Sequence, residues 1–215
     1  MAKIISLEEA MEFIQDGMTI MVPGFWGVGS PEKLIDALVA KGCRNMTGIG
    51  ISTTTPAKGI GKLVANKQFK KVIVSYIGRN PATMELLEAG ELEVEFCPQG
   101  TLSERVRAGG FGLGGILTPT GVGTEIANGK QIINVDGRDY LLEKPLKADV
   151  AILKAYKADK AGNLVYRKAT RNTNPLMAAA AKVTIAQVDH IVEIGDLDPD
   201  EIMTPGIFVD YLVQN

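Results

Sequence analysis

Short apolar runs, each closed by glycine, proline or small polar residues and separated by stretches of helical spacing, constrain this chain more than any other feature. MTIMV (residues 18–22), MTGIGI (46–51), KVIVSYI (71–77), ELEVEFC (91–97) and the VAIL centre of KADVAILKAY (147–156) are too short for buried helices and have the length and apolar character of strands. Between them, Leu34, Ile35, Leu38 and Val39 fall on one helical face, Ile60, Leu63 and Val64 on another, and ATMELLEAG follows the same period. Alternation of this kind specifies an α/β protein whose sheet is mainly parallel and flanked by helices.

Punctuation sets the boundaries. Ser6 and Glu9 form a capping box that opens a helix over about residues 7–16, and Gly17 suits its left-handed stop. Ser30 and Pro31 read as N-cap and first residue of the next helix, with Gly42 at its end. Asp136-Gly137 between KQIINV and RDYLLE predicts a type I′ hairpin, hence a small antiparallel excursion, and Lys160-Ala161-Gly162-Asn163 marks a second tight loop. KVIVSYI is expected as the central strand. With 215 residues, 46% of them hydrophobic, the chain can bury one full core, and no linker divides it, so a single domain is expected over residues 1–215.

The bulk numbers exclude several functions. A formal charge of -2 gives no general attraction to nucleic acid or to an anionic membrane, and the basic residues Lys67, Lys70 and Lys71 read as a solvated strand edge. Cys43, Cys97 and His190 lack metal-ligand spacing, so no metal site is expected. Cys97 and His190 read as a buried thiol and an ordinary imidazole. No apolar stretch approaches membrane-spanning length and the amino terminus lacks a signal-like core, which predicts a cytoplasmic protein.

The stretch VPGFWGVGSPEKL puts three glycines, two prolines and the only tryptophan between a strand and a helix start. Bare backbone there lets a ligand touch the chain while first-turn amides point outward. The spacing Gly24, Gly27, Gly29 matches neither a dinucleotide fingerprint nor a P-loop, so this loop is either a ligand contact or a tight connection.

Its spelling is more specific. DGMTIMVPGFWGVGSP resembles the amino-terminal signature of alpha subunits of the 3-oxoacid CoA-transferase family, with Asp16, Gly17, Ile20, Met21, Val22, Gly24, Phe25, Gly29 and Pro31 matching and Pro23 standing where the family has a glycine. IGRNPAT, PQGT, AGG, GLGG, TPTG, AGNLVY, NTNPLMAAAAK and MTPGIFVDYL keep the family order nearly end to end.

The resemblance implies the CoA-transferase fold, shared with sugar-phosphate isomerases, and an enzyme that moves CoA between a short-chain acyl-CoA or 3-oxoacyl-CoA and a small free carboxylic acid. In the family a glutamyl-CoA thioester forms on a Ser-Glu-Asn-Gly segment of the beta subunit. This chain has no such segment, so it is expected to act only with a beta partner, in an α2β2 assembly, with CoA as substrate and no permanently bound cofactor. The implied CoA-binding stretch maps onto Pro23, Gly24, Phe25, Trp26, Gly27, Val28 and Gly29, with Phe25 and Trp26 either covering the pantetheine arm or packing as core aromatics. Gln99, on an expected strand-to-loop turn, is the implied oxyanion support, and Glu104 with Arg105 reads as a structural ion pair. Ile51 and Ser52 stand where the family has Asn followed by Asn or Asp. These departures open the substrate to an acid other than acetoacetate or 3-oxoadipate, or to a weaker enzyme. The competing reading is a ligand-sensing or regulatory protein with the same fold, and a third is a CoA-ester lyase or hydrolase.

Overall fold

The computed structural model describes residues 2–215. Twelve strands and six α-helices follow in the order β1 (Lys3–Ile4), α1 (Leu7–Glu12), β2 (Thr19–Met21), α2 (Glu32–Lys41), β3 (Met46–Ile49), α3 (Ile60–Ala65), β4 (Phe69–Val74), α4 (Pro81–Glu88), β5 (Glu93–Phe96), α5 (Gln99–Gly110), β6 (Ile116–Thr118), β7 (Ile132–Val135), β8 (Arg138–Glu143), β9 (Ala148–Asp159), β10 (Leu164–Val165), α6 (Asn174–Ala179), β11 (Ala181–Val192) and β12 (Tyr211–Gln214). The main sheet runs β1-β12-β11-β9-β2-β3-β4-β5, with β10 paired antiparallel to β9 and every other pairing parallel.

Strand alternation sends side chains into two cores. Ile20, Val72, Val74, Val150 and Ile152 pack with Leu34, Leu38, Leu63 and Leu86 of α2, α3 and α4. Their neighbours Met21, Ile49, Ile73, Ala151 and Leu153 pack on the opposite face with Leu102, Val106 and Met177 of α5 and α6. The result is a three-layer α/β/α arrangement, as the alternating pattern predicts. Gly109 lets α5 close on the chain: a Cβ there would stand 1.9 Å from the Leu146 carbonyl oxygen.

The smaller sheet, β6-β8-β7, is antiparallel. Its hairpin turns at Asp136 (φ 50°) and Gly137 (φ 79°), the two positive dihedrals of the predicted type I′ turn.

Several boundaries differ from expectation. The capping box at Ser6 is present, but α1 stops at Glu12. KVIVSYI contributes β4, which lies next to the edge strand β5 rather than at the centre; the centre is β9, flanked by β11 and β2. Ser30 does not cap α2. Its hydroxyl donates to the Pro23 carbonyl at 2.9 Å, while the Gln187 side-chain oxygen receives the backbone N–H groups of Lys33 and Leu34 at 3.1 and 3.4 Å. Gly42 ends α2 in the left-handed region as predicted.

Candidate active site

The chain adds β3, β4 and β5 on one side of β2 and then places β9 on the other, so the strand order reverses at β2. Ligands of open parallel sheets bind outside the carboxyl ends of the strands at such a reversal. The loop after β2 is the glycine-rich stretch. Phe25 and Val28 exchange two backbone hydrogen bonds of 3.0 Å around Trp26 (φ 56°) and Gly27 (φ 81°), which makes a tight two-residue hairpin standing on the end of the strand.

This hairpin is anchored from below. Asn172 Nδ2 donates to the Val28 carbonyl at 3.0 Å, and Asn174 Nδ2 to that of Gly29 at 3.0 Å. Pro23, Gly24 and Gly29 are buried and shape the base, so any ligand contact falls to the crest, Phe25 to Val28. Phe25 is 46% exposed and Trp26 39%; of the two alternatives for these aromatics, core packing is the one the fold rejects.

On one side of this ridge lies a cavity of about 380 Å³ lined by Phe25, Trp26, Ile51, Ser52, Ser75, Tyr76 and Gln99. The loops after β2, β3 and β4 and the start of α5 thus bring together the aromatic crest, both departure positions and the glutamine singled out in sequence. Gln99 is not on a buried turn. It is the exposed first residue of α5, because the helix starts directly after Pro98. No side chain caps α5, so its first-turn amides and the positive end of its dipole stand beside Gln99. Ile51 is buried and its carbonyl accepts from the Ser75 hydroxyl at 2.6 Å. The Ser52 hydroxyl receives the Thr54 N–H at 3.3 Å.

On the other side, Val28 borders a cavity of about 460 Å³ with Lys154, Tyr156, Arg167, Lys168 and Asp189. Lys154 is paired with Asp189 at 2.5 Å, which leaves Arg167 and Lys168 as uncompensated cations. Sequence reading missed this second cavity, whose residues come from β9, β11 and the loop before α6 and share no local motif.

The expected Glu104–Arg105 pair is absent. Glu104 bonds Arg107 one helical turn on, at 2.7 Å. Arg105 points inward to Glu95 at 2.9 Å and to the buried Glu143 at 3.7 Å. Burial alone would raise the Glu95 pKa, but hydrogen bonds and charges from Arg105 and Lys71 outweigh it and hold the carboxyl below its ordinary value. Cys97 is a buried thiol as expected, its pKa pushed up by burial in spite of Arg105. His190 is exposed, with its ring edge-on to Tyr156 at 5.4 Å.

A parallel α/β sheet with a glycine ridge between two clefts at its switch point is a frame on which α/β enzymes place their sites. The sequence matches the coenzyme A transferase family over residues 4–215, and the chain belongs to that family. It is 48% identical over 211 residues to the alpha subunit of the acetate CoA-transferase of Escherichia coli, covering 98% of this chain and 96% of the relative. It is 51% identical over 213 residues to the alpha subunit of the acetoacetyl-CoA:acetate/butyrate CoA transferase of Clostridium acetobutylicum, with 99% and 98% covered. An acyl-CoA transferase from E. coli O157:H7, solved as a thioester complex with CoA, superposes with a TM-score of 0.86 at 23% identity; the match covers all of this chain but 47% of that longer one. Among the described residues, no helix is long and apolar enough to cross a membrane.

Proposed function

We propose that this chain is the alpha subunit of a heteromeric, cytoplasmic CoA-transferase, in an α2β2 assembly, that moves CoA between a short-chain acyl-CoA or 3-oxoacyl-CoA and a free carboxylate. One observation carries the heteromeric reading. The cavity that gathers Phe25, Trp26, Ser52, Tyr76 and Gln99 is lined by no Asp, Glu, Cys or His, so its serines, Ser52 and Ser75, have no base on that lining to activate them, and a site built for acyl transfer takes its nucleophile from another chain.

The chemistry then divides into matched steps. A partner carboxylate oxygen attacks the thioester carbonyl, and the C–S bond breaks to give an enzyme acyl anhydride and CoA thiolate. The thiolate attacks the glutamyl carbonyl of that anhydride, releasing the first acid and leaving a glutamyl-CoA thioester. The second acid repeats the steps in reverse order. Each attack places negative charge on a carbonyl oxygen. The Gln99 amide and the free first-turn amides of α5 are the donors this chain offers to that charge, and preorganised donors of this kind are worth about 3 kcal/mol where water is excluded. The glycine crest receives the pantetheine arm, and the cations of the neighbouring cavity favour the polyanionic end of CoA.

The test is CoA transfer from butyryl-CoA or acetoacetyl-CoA to acetate, with this chain alone and then co-purified with a beta subunit carrying the Ser-Glu-Asn-Gly segment. Activity in the pair alone is the expected result. Transfer by the isolated chain, or failure of the two chains to form a complex, overturns the reading.

A further inference from the structure

The cavity beside the glycine ridge holds no formal charge on its lining side chains, yet every acid that enters it is an anion, and a carboxylate leaving water needs a partner. Arg79 is not part of this lining but lies over one of its members, Trp26. Its guanidinium carbon stands 4.6 Å above the centre of the Trp26 ring.

Both halves of this pair are held in place. Trp26 sits at φ 56° in the tight hairpin, a left-handed conformation that L-residues adopt only where the surrounding structure imposes it, and its indole is partly exposed rather than packed in the core. Arg79 precedes Asn80, which is fully buried, donates to the Thr53 carbonyl at 2.8 Å and opens α4 by accepting from the Thr83 N–H. Arg79 is therefore carried on a rigid post rather than on a loose loop. Among the described residues, no carboxylate lies within ion-pair distance of it. Contact with an aromatic ring leaves N–H donors of a guanidinium for other partners, in a fork that fits two oxygens of one anion.

We propose that Arg79, oriented by Trp26, is a specificity-determining residue that receives an oxyanion of the incoming substrate at the mouth of this cavity. The inference deepens the CoA-transferase reading and rests on it. The oxyanion is either the far carboxylate of a dicarboxylic acid or a phosphate of the acyl-CoA; the chemistry at Arg79 is the same.

Trp26 is the only tryptophan of the chain, so its fluorescence reports on this spot without any turnover. Titrating the full chain with succinate, butyrate and CoA, in wild type, Arg79→Gln, Arg79→Lys and Lys58→Gln, tests the proposal. Lys58 packs its stem near Gly27 of the same hairpin and serves as the control for a merely general positive field. The expected result is that Arg79→Gln weakens one anion about tenfold, equivalent to about 1.4 kcal/mol, that Arg79→Lys recovers only part, and that Lys58→Gln changes little. Selective loss of succinate assigns the acid carboxylate, and selective loss of CoA assigns the phosphate. In the assembled enzyme the same variant then raises the matching KM far more than it lowers kcat. No response of wild-type Trp26 to either anion, equal affinities in Arg79→Gln, or an equal loss in Lys58→Gln overturns the proposal. Absence of transfer by an assembled wild-type pair that still shows the fluorescence response would instead count against the CoA-transferase reading alone.

Discussion

Replacing Gly29 with alanine tests the claim that the ridge is held from below. Gly29 has φ 82°, and a Cβ built on it would stand 2.5 Å from Asn172 Nδ2, 2.7 Å from the Thr170 carbonyl oxygen and 3.0 Å from the Thr170 Cα. Two of these are backbone atoms, which cannot swing aside as the tip of a long side chain can. The left-handed dihedral costs about 1–2 kcal/mol for alanine. Displacing Asn172 breaks its bonds to the Val28 and Ala169 carbonyls, at 3.0 and 2.9 Å, each worth about 1 kcal/mol. A loss of about 3–4 kcal/mol follows. Gly42→Ala is the matched control: φ is 74° there, but nothing lies within 4 Å of the added carbon, so only the dihedral cost of about 1–2 kcal/mol remains. Urea unfolding followed by tryptophan fluorescence measures both. If Gly29→Ala is no less stable than Gly42→Ala, the crowding argument fails. Transfer by the assembled enzyme should fall with Gly29→Ala even where the protein stays folded, because the crest bearing Phe25 and Trp26 shifts with its base.

Gln99→Ala should lower kcat about 100-fold, the effect typical of losing one oxyanion donor, with little change in stability, because the side chain is exposed and bonds to no other group among the described residues; an unchanged kcat would remove Gln99 from the mechanism. Glu95 has its pKa held below the ordinary carboxylate value, so the stability it contributes is complete above about pH 4.3 and is lost as pH falls through its lower folded value. Glu95→Gln should therefore flatten the fall in urea midpoint below that pH, and an acid limb as steep as that of wild type would contradict the assignment. Ile51→Asn places an amide where the family resemblance implies one, on a cavity lining that holds the buried Ile51 side chain. It should raise the preference for acetoacetate over butyrate while costing about 1–3 kcal/mol from a buried amide, and an unchanged ratio of kcat/KM would show that this position does not read the acid.

Local signals carried as far as their partners were local. Ser6 and Glu9 cap each other, and Asp136-Gly137 turns a hairpin whose two strands adjoin it, so both were legible. The cap of α2 was not, because the oxygen that satisfies its first turn comes from Gln187, 154 residues away from Lys33. The same distance hides β11. AKVTIAQVDHIV mixes polar and apolar residues without a clean period of two, because its middle is buried between β9 and β12 while its last residues run past β12 and pair with β9 alone. Gln187 and Thr184 inside it are buried polar groups whose partners, the start of α2 and the Ala178 carbonyl, exist only once the sheet has formed. KVIVSYI misled for a related reason. An apolar run reports that both faces are covered, and β4 has helices on both faces although it lies one strand from the edge.

The site divides along the same line. Glycines and prolines at 23–31 marked the ridge, since a sharp turn between a strand and a helix leaves its trace in adjacent residues. What the ridge confronts was illegible, because Ser75, Tyr76 and Arg79 lie between β4 and α4, Lys154 within β9 and Arg167 in the loop before α6, all distant from the ridge in sequence. Residues at strand ends are free to change for this reason. Each strand is fixed by its own burial and ladder, whereas the side chain just past its end packs against loops from other strands and bears little of the fold. With Pro23, Ile51 and Ser52 in place, Ile20, Ile49 and Val72 are buried as the fold requires, and of the three departures Ile51 and Ser52 lie on the cavity lining. On the proposed reading, substrate preference changes at such loop positions while the sheet stays fixed, and the Arg79→Gln titration is the place to see it.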